Sequence, residues 1–129
     1  MILCIAGGVI VMSIASDLIR GHTDTIILAH LIAGDSYGYK INKSIIEHTK
    51  GSYELKEATL YTAFRRLEEA GFISSYWGDE TTGARRRYYA ITPTGVAEYN
   101  RLKDDWQTAK VIIDQLINHP QTADQNIKE

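Results

Sequence analysis

The chain has 129 residues, 44% hydrophobic and 23% charged, with a formal net charge of −2. That composition fits one ordinary globular domain with a core of its own. A single cysteine, Cys4, excludes an internal disulfide and a cysteine-based metal cluster, which fits a reducing cytoplasm.

The charge is uneven. Residues 36–88 carry nine basic against seven acidic side chains, whereas both ends of the chain are acidic. A mildly basic middle is compatible with a phosphate-facing surface, provided that Glu47, Glu54, Glu68 and Glu69 point away from it. The four histidines (His22, His30, His48 and His119) have no ligand spacing, so neither a metal nor another cofactor is expected.

Residues 1–12 are apolar and uncharged, lack a basic n-region and are too short to span a bilayer. They read either as a tail that packs elsewhere or as residues ahead of a natural start at Met12. The second reading is preferred, because Gly7-Gly8 is also what a purine-rich ribosome-binding sequence would encode. Residues 13–92 then form one unit. Ser13 to Gly21 is a short lead-in. Thr23 or Asp24 is positioned to cap a helix that runs to about Ala33. Gly34-Asp35-Ser36 is a turn, and a second helix spans Tyr37 to about Thr49, burying Ile41 and Ile45.

Tyr53 to Lys56 leads extended into a third helix, Glu57 to Ala70. Leu60, Phe64 and Leu67 share its inner face, and Gly71 ends it. Ala58, Thr59, Thr62, Arg65, Arg66 and Glu69 face outward. Small side chains, hydroxyls and two arginines suit either solvent or the edges and phosphates of a DNA major groove.

The period then changes from 3.6 to 2. Phe72–Trp77 and Arg85–Ile91 read as two strands of a hairpin joined by the loop Gly78–Ala84. Arg85, Arg86 and Arg87 open the second strand and cannot all face a core. Two helices, a turn, a third helix and a basic hairpin make a mainly α fold with a small β-hairpin, a winged helix-turn-helix.

Thr92-Pro93 restarts a helix with a hydroxyl cap and proline at its first position. It is expected to span 93–118, ending at His119-Pro120, with 119–129 a flexible tail. Tyr99, Leu102, Trp106, Ala109, Ile113 and Leu116 recur at spacings of 3, 4, 3, 4 and 3. That is a coiled-coil seam, to be buried on a second copy of the chain, on the first helix, or on both. The carboxylate pairs Glu68-Glu69 and Asp104-Asp105 diverge on their helices, and no catalytic constellation is present, so an enzyme is not expected.

The chain resembles the PadR family of bacterial transcriptional regulators, in its small subfamily with a single C-terminal helix. The resemblance rests on Tyr37-Gly38-Tyr39-Lys40-Ile41, Glu57-Ala58-Thr59-Leu60-Tyr61-Thr62, Arg65-Arg66-Leu67-Glu68, Ser74 to Glu80 and Gly83-Ala84-Arg85-Arg86-Arg87-Tyr88-Tyr89. It implies a homodimeric repressor on double-stranded DNA, with no membrane association. Thr59, Tyr61, Thr62 and Arg65 would then meet the groove, Lys56 the backbone at the start of the helix, and Arg85, Arg86 and Arg87 the flanking backbone through the wing. Relatives that sense multiple drugs hold flat aromatic compounds at the dimer centre against a tryptophan, and Trp106 matches that position. Lys110 stands where such proteins can carry an acid, and Tyr99 and Leu102 are bulky. These departures point to an anionic, phenolic or other small aromatic effector, or to none. The rival reading is a winged-helix protein–protein module that binds an acidic partner.

Overall fold

The computed structural model describes residues 17–79 and 85–127, with side chains to residue 118. The expectations for residues 1–12 and for most of the hairpin loop fall outside the described residues. Residues 17–20 form a helical turn. After it come α1 (Thr23–Ala33), α2 (Gly38–His48), α3 (Glu57–Glu69), β1 (Ile73–Trp77), β2 (Arg87–Ile91) and α4 (Pro93–Ile127). The winged helix-turn-helix expected from the periodicity is the fold observed.

Each of the first three helices turns one apolar stripe inward. Ile27, Leu28 and Leu31 of α1, Ile41 and Ile45 of α2, and Leu60, Ala63, Phe64 and Leu67 of α3 are buried together. Burying side chains of this size is worth about 1.5–3 kcal/mol each before chain entropy is charged against it. The expected cap of α1 is not made. The Thr23 hydroxyl donates backward to the Arg20 carbonyl at 2.8 Å, and Asp24 is drawn to Arg66 of α3. The buried Thr23 finds its partner in the preceding turn instead.

Two devices set the start of α3. Lys50 (φ 53°) and Gly51 (φ 81°) adopt left-handed backbone and end α2. Asn42 then grips the extended lead-in from both sides: its Nδ2 donates to the Leu55 carbonyl and its Oδ1 accepts from the Leu55 amide, each at 2.9 Å. Tyr53 and Leu55 bury their side chains on either side of that clamp.

The hairpin pairs antiparallel from Ile73↔Ile91 to Trp77↔Arg87. Arg85 and Arg86 precede β2, so only Arg87 belongs to the strand. Ser36 adds a third, one-residue rung. Its amide donates to the Tyr89 carbonyl at 3.1 Å, and its carbonyl accepts from the Tyr89 amide at 2.8 Å. The expected turn at Gly34 to Ser36 therefore doubles as an edge that ties the wing to the helices. Tyr89 stacks on Phe64 with centroids 3.9 Å apart and completes the core.

The root of α4 is locked. The Thr92 hydroxyl accepts from the Gly95 amide at 3.0 Å and donates to the Gly71 carbonyl at 2.7 Å. Gly95 has no substitute there, because a Cβ would lie 2.0 Å from the Phe72 carbonyl oxygen. Tyr99 and Leu102 pack on the core from α4. The helix does not end at His119-Pro120 as expected but continues to Ile127. Proline removes one amide donor and bends a helix, and flanking hydrogen bonds carry it on.

Candidate nucleic-acid interface

The outer face of α3 follows directly from its buried face. With Leu60, Ala63, Phe64 and Leu67 inward, Ala58, Thr62, Arg65 and Glu69 are exposed, Thr59 is half-buried, and Lys56 is exposed just ahead of the helix. Tyr61 sits at the edge of this face, 41% exposed. Its ring meets Phe64 edge-on at 5.4 Å and lies over Gly38, where a Cβ would come within 2.5 Å of the phenol oxygen. Gly38 thus opens the space in which Tyr61 lies between α2 and α3.

The wing arginines stand across a groove of about 620 Å³ from Tyr61 and Arg65. They are held in different ways. Arg85 lies 5.5 Å from the centre of the Trp77 ring, and Arg86 lies 4.7 Å from that of Tyr37. A guanidinium over an aromatic ring is held by the attraction between the cation and the ring face. Arg87 donates to Ser75 Oγ at 2.8 Å and lies 3.7 Å from Glu68, which itself accepts from Ser75 at 2.7 Å. Of the four glutamates expected to point away from the basic surface, Glu68 does not: it lines this groove and anchors Arg87. Its carboxylate is drawn inward by the hydroxyl and guanidinium of the hairpin behind it.

Sequence reasoning missed the aromatic floor of the groove. Tyr37 and Tyr39 at the start of α2 line it together with Trp77, and Tyr39 is 71% exposed. The signal was present in Tyr37-Gly38-Tyr39, an aromatic pair around a glycine and ahead of a polar helix. The wing is braced from below as well. The Tyr76 phenol donates to Asp35 at 2.6 Å, and that bond holds its pKa above the usual phenol value.

The effector candidates border two hollows that share Trp106, one with Tyr99 and one with Lys110, and Leu102 lines neither. Trp106, 39% exposed, meets His22 edge-on at 4.9 Å. With Tyr99, Lys103, Ile19 and Ile26 it lines a hollow of about 700 Å³ between the start of α1 and α4. Lys110 borders a different hollow on α4 beside Asp114, and Leu102 packs into the core. Of the seam positions, Tyr99, Leu102 and Ala109 are half-buried, whereas Ile113 and Leu116 are 48% and 68% exposed. No group of acidic, histidine or cysteine side chains suited to a metal occurs among the described residues. No helix among them is long and apolar enough to cross a membrane.

Comparison with known proteins agrees with this geometry. The model of the transcriptional regulator PadR-like family matches residues 27–101. An uncharacterized protein of Lysinibacillus sphaericus is 46% identical over 101 residues, covering 78% of this chain and 93% of its own. The structure of a transcriptional regulator from Clostridium thermocellum is 50% identical, with a TM-score of 0.73, over 80% of this chain and 97% of that one. A PadR family transcription regulator from Clostridium difficile is 35% identical, with a TM-score of 0.67, over 75% and 99% of the two chains. A match across more than half of its length, on a winged helix whose basic wing and polar helix face flank one groove, makes this chain a member of the PadR-like family of transcriptional regulators.

Proposed function

We propose that this regulator is a sequence-specific repressor that binds double-stranded DNA as a homodimer. The observation that carries the reading is the joint surface of α3 and the wing. Thr59, Thr62 and Arg65 offer hydrogen-bonding groups on a face free of large apolar side chains. Arg85 and Arg86 lie on aromatic rings beside it. In this reading Thr59, Tyr61, Thr62 and Arg65 meet base edges, and Lys56, Arg85 and Arg86 meet phosphates. Arg87 contributes charge from its anchored position.

A homodimer is supported by the far half of α4, where Val111, Ile112, Ile113, Leu116 and Ile117 are all exposed. Side chains of this type in a row are normally covered. Two-fold pairing would set two α3 helices in successive major grooves, with half-site centres roughly 10 bp or a multiple apart. Trp106, Tyr99 and the hollow between α1 and α4 are the proposed site for a small aromatic or phenolic effector, with Lys103 at its side. Such a ligand would release DNA if it bound one dimer geometry better than the other.

Fluorescence anisotropy on labelled DNA from upstream of the protein's own gene tests the core of this reading. Binding that survives a scrambled competitor and falls with salt is the expected result. Affinity independent of salt would instead point to an acidic protein partner on the same face. A reporter placed behind the bound site distinguishes repression from activation.

A further inference from the structure

The recognition helix has a second flank that the wing does not reach. Along α3, Tyr61, Arg65 and Glu68 form the stripe facing the wing groove. Thr59, Thr62 and Arg66 form another stripe, rotated from the first by roughly 120° at 100° per residue. This second stripe borders a separate groove of about 340 Å³, whose other wall is Arg20 and Thr23 at the start of α1. Both arginines are exposed, Arg20 at 57% and Arg66 at 54%. Each is engaged by a neighbouring acid: Arg20 by Asp17, and Arg66 by Asp24.

From this arrangement we infer that the groove between α1 and α3 is a second phosphate-binding subsite for DNA, on the side of the recognition helix opposite the wing. The inference rests on the DNA-binding reading above and assigns residues that it leaves out. A helix with its side chains is about 10–12 Å across and a major groove about 12 Å wide, so a seated helix meets both bounding strands. The wing arginines serve one strand. The other strand meets a wall that carries the guanidiniums of Arg20 and Arg66, donors suited to a phosphodiester.

The two acids give the subsite its character. An exposed ion pair is worth only about 0.2–1 kcal/mol, so a phosphate that offers a bidentate site displaces or shares the carboxylate at small cost. Asp17 and Asp24 therefore occupy the arginines off DNA and compete with phosphates of any sequence. Binding to specific and non-specific DNA is weakened alike, by the cost of displacing each carboxylate.

The test uses the full chain, a duplex from upstream of its own gene and a scrambled duplex, with anisotropy measured over a range of salt concentrations. Arg66→Ala and Arg20→Ala should each flatten the dependence of log affinity on log salt by about one unit, on both duplexes. Arg66→Lys should keep the wild-type slope, which separates a phosphate contact from a fault in folding. Asp24→Asn should raise affinity for both duplexes by about two- to fivefold, the equivalent of one exposed pair. If the two arginine variants keep the wild-type slope while Arg85→Ala flattens it, the wing binds DNA and this flank does not. If Arg85→Ala is also without effect, the DNA-binding reading falls and takes the inference with it. Weaker binding by Asp24→Asn would make the carboxylate a positioning group for Arg66 and overturn the competition.

Discussion

Helices α3 and α4 present opposite outer faces. The inner face of α3 is buried by its own chain, and what remains outside is hydroxyl, guanidinium, carboxylate and alanine, with Tyr61 at the edge. The far half of α4 turns Val111, Ile112, Ile113, Leu116 and Ile117 outward, exposed among the described residues. A polar outer face is complete in water, whereas an apolar one has burial still to gain. The contrast separates the part of the molecule whose burial is complete within one chain from the part on which the proposed dimer rests.

The largest test breaks the α4 side. Ile113→Asp with Leu116→Asp should convert the dimer to a monomer in sedimentation velocity. DNA affinity should fall by at least about a hundredfold, because the second half-site no longer adds to the first. Unchanged mass would show that the apolar face is not the dimer seam. Next in size is Gly95→Ala at the root of α4. The added methyl overlaps the Phe72 carbonyl, and thermal unfolding should register a loss of about 3 kcal/mol.

Asn42→Ala tests the equivalent anchor of α3. It leaves the amide and carbonyl of a buried Leu55 without their partner, and a loss of about 2 kcal/mol is expected in urea unfolding. The outer face of α3 should respond differently. Thr62→Ala and Arg65→Ala should leave stability within about 0.5 kcal/mol of wild type. Each should change preference among operator variants by about 1–3 kcal/mol in a binding selection. The smallest contrast lies within the wing. Arg85→Ala should flatten the salt dependence by about one unit. Arg87→Ala should flatten it less, because Glu68 already answers part of its charge.

The sequence made much of this legible because the fold is built from strong local periods. Leu60, Phe64 and Leu67 mark the inner face of α3 without reference to anything else, and that face alone dictates which residues look outward. The change to a period of 2 after Gly71 marks the wing in the same way. What the sequence did not disclose depends on residues far apart in the chain. Ser36 reads as part of a turn until Tyr89 is placed beside it. Glu68 reads as a solvated acid until Ser75 and Arg87 close over it. Gly95 reads as a weak helix former, when it is the one residue that fits against Phe72. In each case a tertiary contact decides between local options of nearly equal energy.

The locked joint at Thr92 and Gly95 has a mechanical consequence. With its first turn pinned to the end of α3 and the base of the hairpin, α4 has no hinge where it leaves the DNA-reading unit. A helix of 35 residues is roughly 52 Å long. Ahead of Pro120 it works as a stiff lever, so that a tilt imposed along it is passed to α3. In the proposed dimer, the spacing between the two α3 helices would be governed by the angle at which two levers cross, and a ligand lodged beside Trp106 would act as a wedge against that angle.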